Sequence, residues 1–375
     1  MKIGIDATNI KAGGGLVHLK KILENNPPSN IEISVIGGKW LDAISNKIWL
    51  TKVIFLKPFA SLLTQEFFKR TRLPKILNKT DIIFVPGGTF STKKRPYVSM
   101  SQNMLVFEKD ERDRFPISFN WVRYIILERL QLRSFESAAG IIFISNYAKN
   151  YILSKYPRLA SIKSTVIYHG ISNEFRAKPK TQNRIEAYSE AIPFKLLYVS
   201  IINFYKHQWN VIEAVKRLRS EHFPIQLDLI GPMYEPARMR FQESIEGSED
   251  FINYIGRVDY DQISNKYKEA DLFVFASSCE NMPNILVEAM SAGLPILCSN
   301  FGPMPEILKD GGDYMDPTNV DSIYLGIKKL LNDPNRREVI AKKAYHIAET
   351  FAWEKSAQET FDFIEHIYRS NSEGK

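Results

Sequence analysis

At 375 residues the chain is long enough for two domains with separate cores, and its 44% hydrophobic share is ordinary for a globular protein. Two cysteines exclude a disulfide framework and a zinc site of the usual spacing, and six scattered histidines show no metal-ligand pattern. A formal net charge of +8 calls for an anionic neighbour; with no nucleic-acid-binding signature in the sequence, phosphate-bearing substrates and anionic lipid are left. No stretch approaches the length of a membrane span, and MKIGIDATNI reads as a strand rather than a signal peptide. The expected location is cytoplasmic.

Residues 2–7 read as a first strand, followed by the loop Gly13-Gly14-Gly15 and a helix with Leu16, Leu19, Ile22 and Leu23 on its apolar face. Strand, glycine loop and helix is the order of a phosphate cradle, but a flexible turn reads the same, and the full G-x-G-x-x-G is absent. Residues 31–36 are a second strand. Residues 49–79 mix aromatic and aliphatic side chains with seven lysines and arginines, among them Lys52, Lys57, Arg70 and Lys75, and carry a single acid, Glu66. Such a segment is either a core-facing helix with a solvated basic face or one that lies on an anionic bilayer. Strands follow at 81–86, closed by Gly87-Gly88, and at 97–100, which leads into Gln102 and Asn103. A long helix over 119–137 carries Arg123, Arg129 and Arg133 on its polar side. Residues 141–145 and 165–168 are further strands, and Asn146 is placed to cap the helix between them.

Residues 176–193 are polar, have proline near both ends, and read as a linker. The second half opens with a strand at 195–199. Its loop carries Asn203, Lys206 and His207 into a helix through Val211, Ile212, Val215 and Leu218. Residues 225–230 form a strand closed by Gly231-Pro232, and 251–255 another that leads to Gly256 and Val258. A helix over 261–270 precedes the buried strand 272–276. Residues 285–292 are helical and stop at Gly293 and Pro295. Residues 296–299 are a strand, elements through Leu331 finish the domain, and a last amphipathic helix starts at Trp353. Alternating strands and helices throughout mean parallel sheets in two doubly wound units.

The most informative stretch is SSCENMPNILVEAMSAGLP, residues 277–295. It joins the end of a buried parallel strand to a helix N-terminus, a geometry suited to anions and polyols. Glu280 and Glu288 bracket it. Taken alone they are a loop acid and a helix-surface acid; together they can pair with vicinal sugar hydroxyls. With seven residues between them and Ala289-Met290-Ser291-Ala292-Gly293-Leu294-Pro295 after them, they resemble the E-x7-E signature of retaining family 4 glycosyltransferases. The likeness extends over nearly the whole chain. It includes an I-S-x-x-A-K turn at 144–149, an N-G-V-D-like His169-Gly170-Ile171-Ser172, and a G-x-x-E-I start at Gly302.

The resemblance implies the GT-B architecture: two Rossmann-like doubly wound domains facing a cleft, with a C-terminal helix crossing back. Residues 1–175 would form an acceptor-binding domain, 194–352 a nucleotide-sugar-binding domain, and 353–375 the returning helix. It implies transfer of a sugar, with retention and without a metal, from a nucleotide-diphosphate sugar to a saccharide. A polyprenyl-diphosphate-linked acceptor in O-antigen or capsule synthesis, and an anionic membrane surface at the cytoplasmic face, fit the basic first half. Glu280 and Lys206 would be catalytic, Lys206 stabilising the leaving diphosphate. Glu288 would hold the ribose, while Asn281, Met282, Pro283, Asn284, Asn203, His207, Gly231 and Val258 line the donor site. Gly14, Gly15, Gln102 and Asn103 would serve the acceptor or phosphates. Three positions depart from the pattern. Ile201 stands where an arginine completes the diphosphate clamp, Gln102 and Asn103 where relatives carry a histidine, and Asn281-Met282-Pro283 where Gly-Phe-Gly is common. Those departures keep an inactive nucleotide-sugar-binding scaffold in view, and a nucleotide-sugar epimerase is a more distant alternative.

Overall fold

Short apolar runs alternating with amphipathic helices build one parallel sheet in each half of the chain. The computed structural model describes residues 1–11, 13–54, 67–68, 71, 73–90, 96–115 and 119–372. They form two compact units. The first comprises Met1–Arg112, Pro116–Gly170 and Ala352–Lys375; the second comprises Asp113–Phe115 and Ile171–Phe351.

In the first unit the strands are β1 (Lys2–Asp6), β2 (Glu32–Gly37), β3 (Leu50–Ile54), β4 (Ile82–Val85), β5 (Tyr97–Ser101), β6 (Gly140–Phe143) and β7 (Ser164–Val166). They lie in the order β3-β2-β1-β4-β5-β6-β7, all parallel. The central strands β4, β5 and β6 are buried along their whole length, as continuous apolar sequence on a parallel sheet requires. Three helices of this unit matter here: α1 (Gly14–Glu24), α2 (Phe119–Glu136) and α3 (Asn146–Lys155). Residues 49–79 are not one helical segment. Leu50–Ile54 is the edge strand, and residues 55–66, 69, 70 and 72 lie outside the described residues. The α3 cap is Ser145 rather than Asn146: the Ser145 hydroxyl accepts the Ala148 N–H at 3.2 Å, so Asn146 is the first helical residue.

The second unit has β8 (Phe194–Val199), β9 (Ile225–Ile230), β10 (Ile252–Gly256), β11 (Leu272–Phe275), β12 (Ile296–Ser299) and β13 (Asp313–Met315). Their order is β10-β9-β8-β11-β12-β13, again wholly parallel. Its longer helices are α4 (Gln208–Ser220), α5 (Arg238–Ile245), α6 (Tyr260–Glu269), α7 (Asn284–Ser291), α8 (Val320–Asn332) and α9 (Pro334–Ala348), with a short one at Met304–Leu308. Helix α9 lies inside the domain at positions where the sequence reading names no element. Asp333 caps it, accepting the Arg336 N–H at 2.8 Å, and its inner face is made largely of small residues, Ala341, Ala344 and Ala348. Residues 176–193 are not a free linker but part of this unit. Ala177 N–H donates to Ser291 O, Lys180 Nζ to Ala270 O, and the buried Arg337 reaches Gln182 and Asn183. A buried guanidinium needs such acceptors, and the polar segment supplies them.

The last helix, α10 (Trp353–Ser372), belongs to the first unit and buries Trp353, Ala357, Phe361, Ile364 and Ile367 along one stripe. It sits close on the first unit's backbone: a Cβ on Gly140 would lie 2.8 Å from Ile367. No helix among the described residues is long and apolar enough to cross a membrane. Gly170 is the tightest of these approaches, since a Cβ there would fall 2.2 Å from the Trp353 backbone nitrogen. Gly170→Ala is therefore expected to cost more than about 3 kcal/mol in urea unfolding, because backbone cannot give way as a side chain can. A loss below about 1 kcal/mol would show that the α10 start is not fixed.

Candidate active site at the second sheet's switch point

Strand β8 is the first of its sheet, with β9 and β10 on one side and β11 onward on the other. Connections therefore diverge at the carboxyl ends of β8 and β11, leaving a crevice of the kind that holds ligands in open α/β sheets. Both predicted catalytic residues hang from those two strands. After β8, residues Phe204–Lys206 make a single 3-10 turn, started by Asn203, whose side chain accepts the Phe204 N–H at 2.7 Å. After β11, Ser278 N–H donates to Tyr205 O at 2.8 Å and ties one loop to the other. Lys206 then meets Glu280 in an ion pair.

The pair is shielded. Lys206 is 5% exposed and its ammonium lies 5.1 Å from the Tyr205 ring centre and 5.2 Å from that of Phe275. Ser277 Oγ donates to the same Glu280 oxygen at 2.7 Å. His207, next in sequence, holds a left-handed backbone (φ 49°, ψ 33°), uncommon for a residue with a side chain. Its Nε2 lies 2.9 Å from Ser278 Oγ. Burial lowers its pKa to about 4, with help from the charges of Arg114 and Arg240, so the ring is neutral near pH 7.

The remaining predicted donor residues lie on α7 and on the loops of the same sheet. Asn281 and Met282 are buried, Pro283 is the N-cap of α7, and Asn284 is its first residue. Glu288, one turn on, is 5% exposed and accepts the Tyr267 hydroxyl at 2.9 Å. Burial raises its pKa to about 7 against the Tyr267 hydrogen bond, and the Glu174 charge adds to the rise. Gly231, at φ 144°, closes β9 where a Cβ would be 2.0 Å from Ser200 O. That contact brings the β9 and β8 loops together, a link strengthened by Ile202 N–H donating to Pro232 O. Val258 is half-buried after β10, and Ile201 offers no charge to this set.

The predicted acceptor and phosphate residues lie in the first unit and come together there. Gly14 and Gly15 begin α1, and a Cβ on Gly15 would collide with Gln102 Oε1 at 2.3 Å. Gln102 Nε2 lies 3.4 Å from Nδ1 of buried His18, while Asn103 accepts the Leu105 N–H at 3.1 Å in a local turn. The His18 and His169 rings are 4.5 Å apart and both lie against Trp353. Sequence reasoning assigns no role to Ser277, Tyr267 or His18. A serine three residues before Glu280 was visible, but only the fold shows that its hydroxyl turns back to it.

Residues 180–347 match the family described as glycosyl transferases group 1. Among curated proteins, the chain is 27% identical over 249 residues to O-antigen chain mannosyltransferase B of Escherichia coli, covering 64% of each. The chain thus spans less than two thirds of that relative's length. Among solved structures it resembles sucrose-phosphate synthase from Thermosynechococcus elongatus, at TM-score 0.77 and 16% identity over 99% of this chain and 100% of that one. It also resembles Anabaena HepE, solved with UDP-glucose, at TM-score 0.72 and 18% identity, with both chains covered completely. These structures establish the fold as two Rossmann-like units of GT-B type.

Glu288 makes the site's burial measurable. Its folded pKa of about 7 lies above the ordinary 4.5, so the folded state binds the extra proton between those values. Stability is then full below about pH 4.5 and falls by roughly 3 kcal/mol as pH rises through 7. Glu288→Gln keeps the shape and cannot ionise, so urea unfolding from pH 5 to 8 is expected to show a smaller decline in the variant. Parallel curves would mean that Glu288 titrates normally.

Proposed function

We propose that this chain, a group 1 glycosyltransferase by the domain at residues 180–347, moves a sugar from a nucleotide-diphosphate sugar to a saccharide acceptor. The observation that carries the reading is the Lys206–Glu280 pair at the switch point of the sheet in that domain. Breaking the bond between the anomeric carbon and the phosphate oxygen leaves both electrons on the diphosphate. Lys206, shielded from water, can balance that charge as it grows, with the helix N-termini at the two loops adding to it. This supports transfer in which the protein supplies the positive charge, without calling on a metal. Glu280 pairs with sugar hydroxyls, and Glu288 with the ribose.

Retention follows if the acceptor hydroxyl attacks the face from which the phosphate leaves and gives its proton to the departing oxygen. Glu280 is engaged by Lys206 and Ser277, and Glu288 by Tyr267, which favours hydroxyl-binding roles over a covalent nucleophile. The E. coli relative is an O-antigen chain mannosyltransferase, which supports a saccharide of the O-antigen type as product; a polyprenyl-diphosphate carrier for that saccharide fits the chain's formal charge of +8. The relative's name and the HepE complex suggest a hexose donor. Ile201, uncharged where an arginine is expected, is the observation that favours an inactive nucleotide-sugar-binding scaffold.

The decisive measurement is nucleotide release from UDP-, GDP- and ADP-sugars with and without lipid-linked acceptors. Release that depends on acceptor and falls at least about a hundredfold in Glu280→Ala is expected, the size of a lost transition-state contact. Binding without release under every acceptor would establish the scaffold, and a sugar isomer formed without acceptor would establish the epimerase.

A membrane-surface role draws on α2, where Val122 and Ile126 are exposed beside Arg123, Arg129 and Arg133. The chain is expected to sediment with anionic vesicles at low salt and to be released at high salt. Equal sedimentation with neutral vesicles would contradict the electrostatic part of this reading.

A further inference from the structure

The second unit draws one short segment, Asp113–Phe115, from well ahead of its main span, which starts at Ile171. Within that segment Arg114 joins Phe204, His207, Trp209 and Arg240 in the wall of a cavity of about 300 Å³. Phe115 does something else. At 3% exposure it is buried among rings that are themselves only half-buried, those of Phe204, Tyr205 and Tyr234. Its ring centre lies 5.4 Å from that of Phe204 and 5.8 Å from that of Tyr234, both edge to face, and 6.3 Å from Tyr205, tilted by 36°. Phe204 and Tyr234 also meet each other at 6.2 Å, so rings from three separate segments close a triangle. These separations lie in the range where aromatic pairs attract beyond the burial of their area.

The packing bears on the turn that carries Lys206. Phe204–Lys206 is a single 3-10 turn, too short to be firm by itself. Its backbone is secured from two sides: the Tyr198 hydroxyl donates to Lys206 O at 2.5 Å, and Ser278 N–H donates to Tyr205 O at 2.8 Å. Neither bond sets the Tyr205 side chain. That ring lies 5.1 Å from the Lys206 ammonium on one hand and against Phe115 on the other. The ammonium therefore rests on a ring that is packed by a residue from the separate segment.

We propose that Phe115 is a positioning residue for Lys206: through the Tyr205 and Phe204 rings it holds the β8–α4 turn and keeps the ammonium at Glu280. The hold on the turn stands on these contacts alone, whereas its use in sugar transfer rests on the transferase reading. In that reading Glu280 turns to the hydroxyls of the donor sugar and no longer anchors Lys206. The Tyr205 ring, kept in place by Phe115, is then what holds the ammonium as charge grows on the diphosphate.

Hydrogen exchange on the full chain, read by mass spectrometry, tests the hold. Phe115→Leu keeps an apolar side chain and removes the ring edges. It is expected to quicken exchange at least about tenfold in peptides carrying the Lys206 and Ser278 amides, and to leave those of β12 within about twofold. Phe241→Leu is the control, since Phe241 is as deeply buried in the same unit, on α5 against the Tyr254 ring. It is expected to leave the Lys206 and Ser278 peptides within about twofold of wild type. Unchanged exchange in Phe115→Leu, or equal quickening in Phe241→Leu, would overturn the proposal. Kinetics then test whether Phe115 acts through Lys206. Nucleotide release with donor and acceptor is expected to fall at least about tenfold in Phe115→Leu, but less than about twofold further when the same change is made in Lys206→Gln. A loss that multiplies equally in both backgrounds marks a residue that serves folding alone and overturns the positioning role. A wild type that releases no nucleotide removes the transferase reading, and exchange by itself then decides whether Phe115 holds the turn.

Discussion

The site depends on one constraint, the divergence of chain between β8 and β11 in an otherwise continuous parallel sheet. Every other feature of the donor side is placed by it. The loop after β8 carries Lys206 and the loop after β11 carries Glu280, and the two are stitched by the Ser278–Tyr205 hydrogen bond. A shielded ion pair is weak evidence for stability, since desolvating two charges can cost as much as their attraction returns. Its value here is positional. An ammonium held between two aromatic rings and a carboxylate cannot wander into solvent, so it stays fixed at the end of the β8 loop.

The first unit uses the same device with different chemistry. Its sheet reverses between β1 and β4, and Asn9 from the loop after β1 donates to Gly87 O in the loop after β4 at 3.0 Å. Gly15 admits Gln102 where any side chain would collide, and Gln102 in turn approaches His18. This corner is packed with polar groups, among them the buried Asp6, which accepts the Thr8 N–H and hydroxyl. His18 is fully buried with its pKa pulled well below the ordinary value by burial and by His169, so it adds no charge. The two switch points thus differ in kind: one is tied by an ion pair, the other by hydrogen bonds.

How much of this the sequence showed follows from what each feature rests on. Glu280 and Glu288 were legible because a buried strand, a loop and a helix stop are all local patterns, and they fix the spacing between the two acids. Strands β4, β6 and β11 were legible for the same reason. Residues 176–193 were misread because proline and polar composition describe a linker, and nothing local says that Arg337, some 150 residues on, needs their carbonyls. Helix α9 was missed because alanines give a narrow apolar stripe, although Asp333-Pro334 was a start signal in plain view. The cavity lined by Arg114 and Arg240 was out of reach altogether, since it joins a three-residue segment, two helices and two turns that only the fold brings together.

Charge along the β8–α4 turn is partitioned with unusual sharpness for so short a segment. Lys206 is neutralised by Glu280; one residue later His207 is kept neutral, chiefly by burial, with the two arginines beyond it acting in the same sense. A protonated His207 would join the Lys206 ammonium to the guanidinium groups beyond it. Neutrality at that position keeps the Lys206–Glu280 pair distinct from them. The left-handed backbone of His207 has the same consequence in geometry, because it turns the chain sharply between the 3-10 turn holding Lys206 and the start of α4. Strain of that sort persists where the surroundings over-determine it, and here the Nε2–Ser278 contact and the cavity wall do so. The residue next to the ion pair is accordingly a divider: it separates the Lys206–Glu280 pair from the guanidinium groups of Arg114 and Arg240.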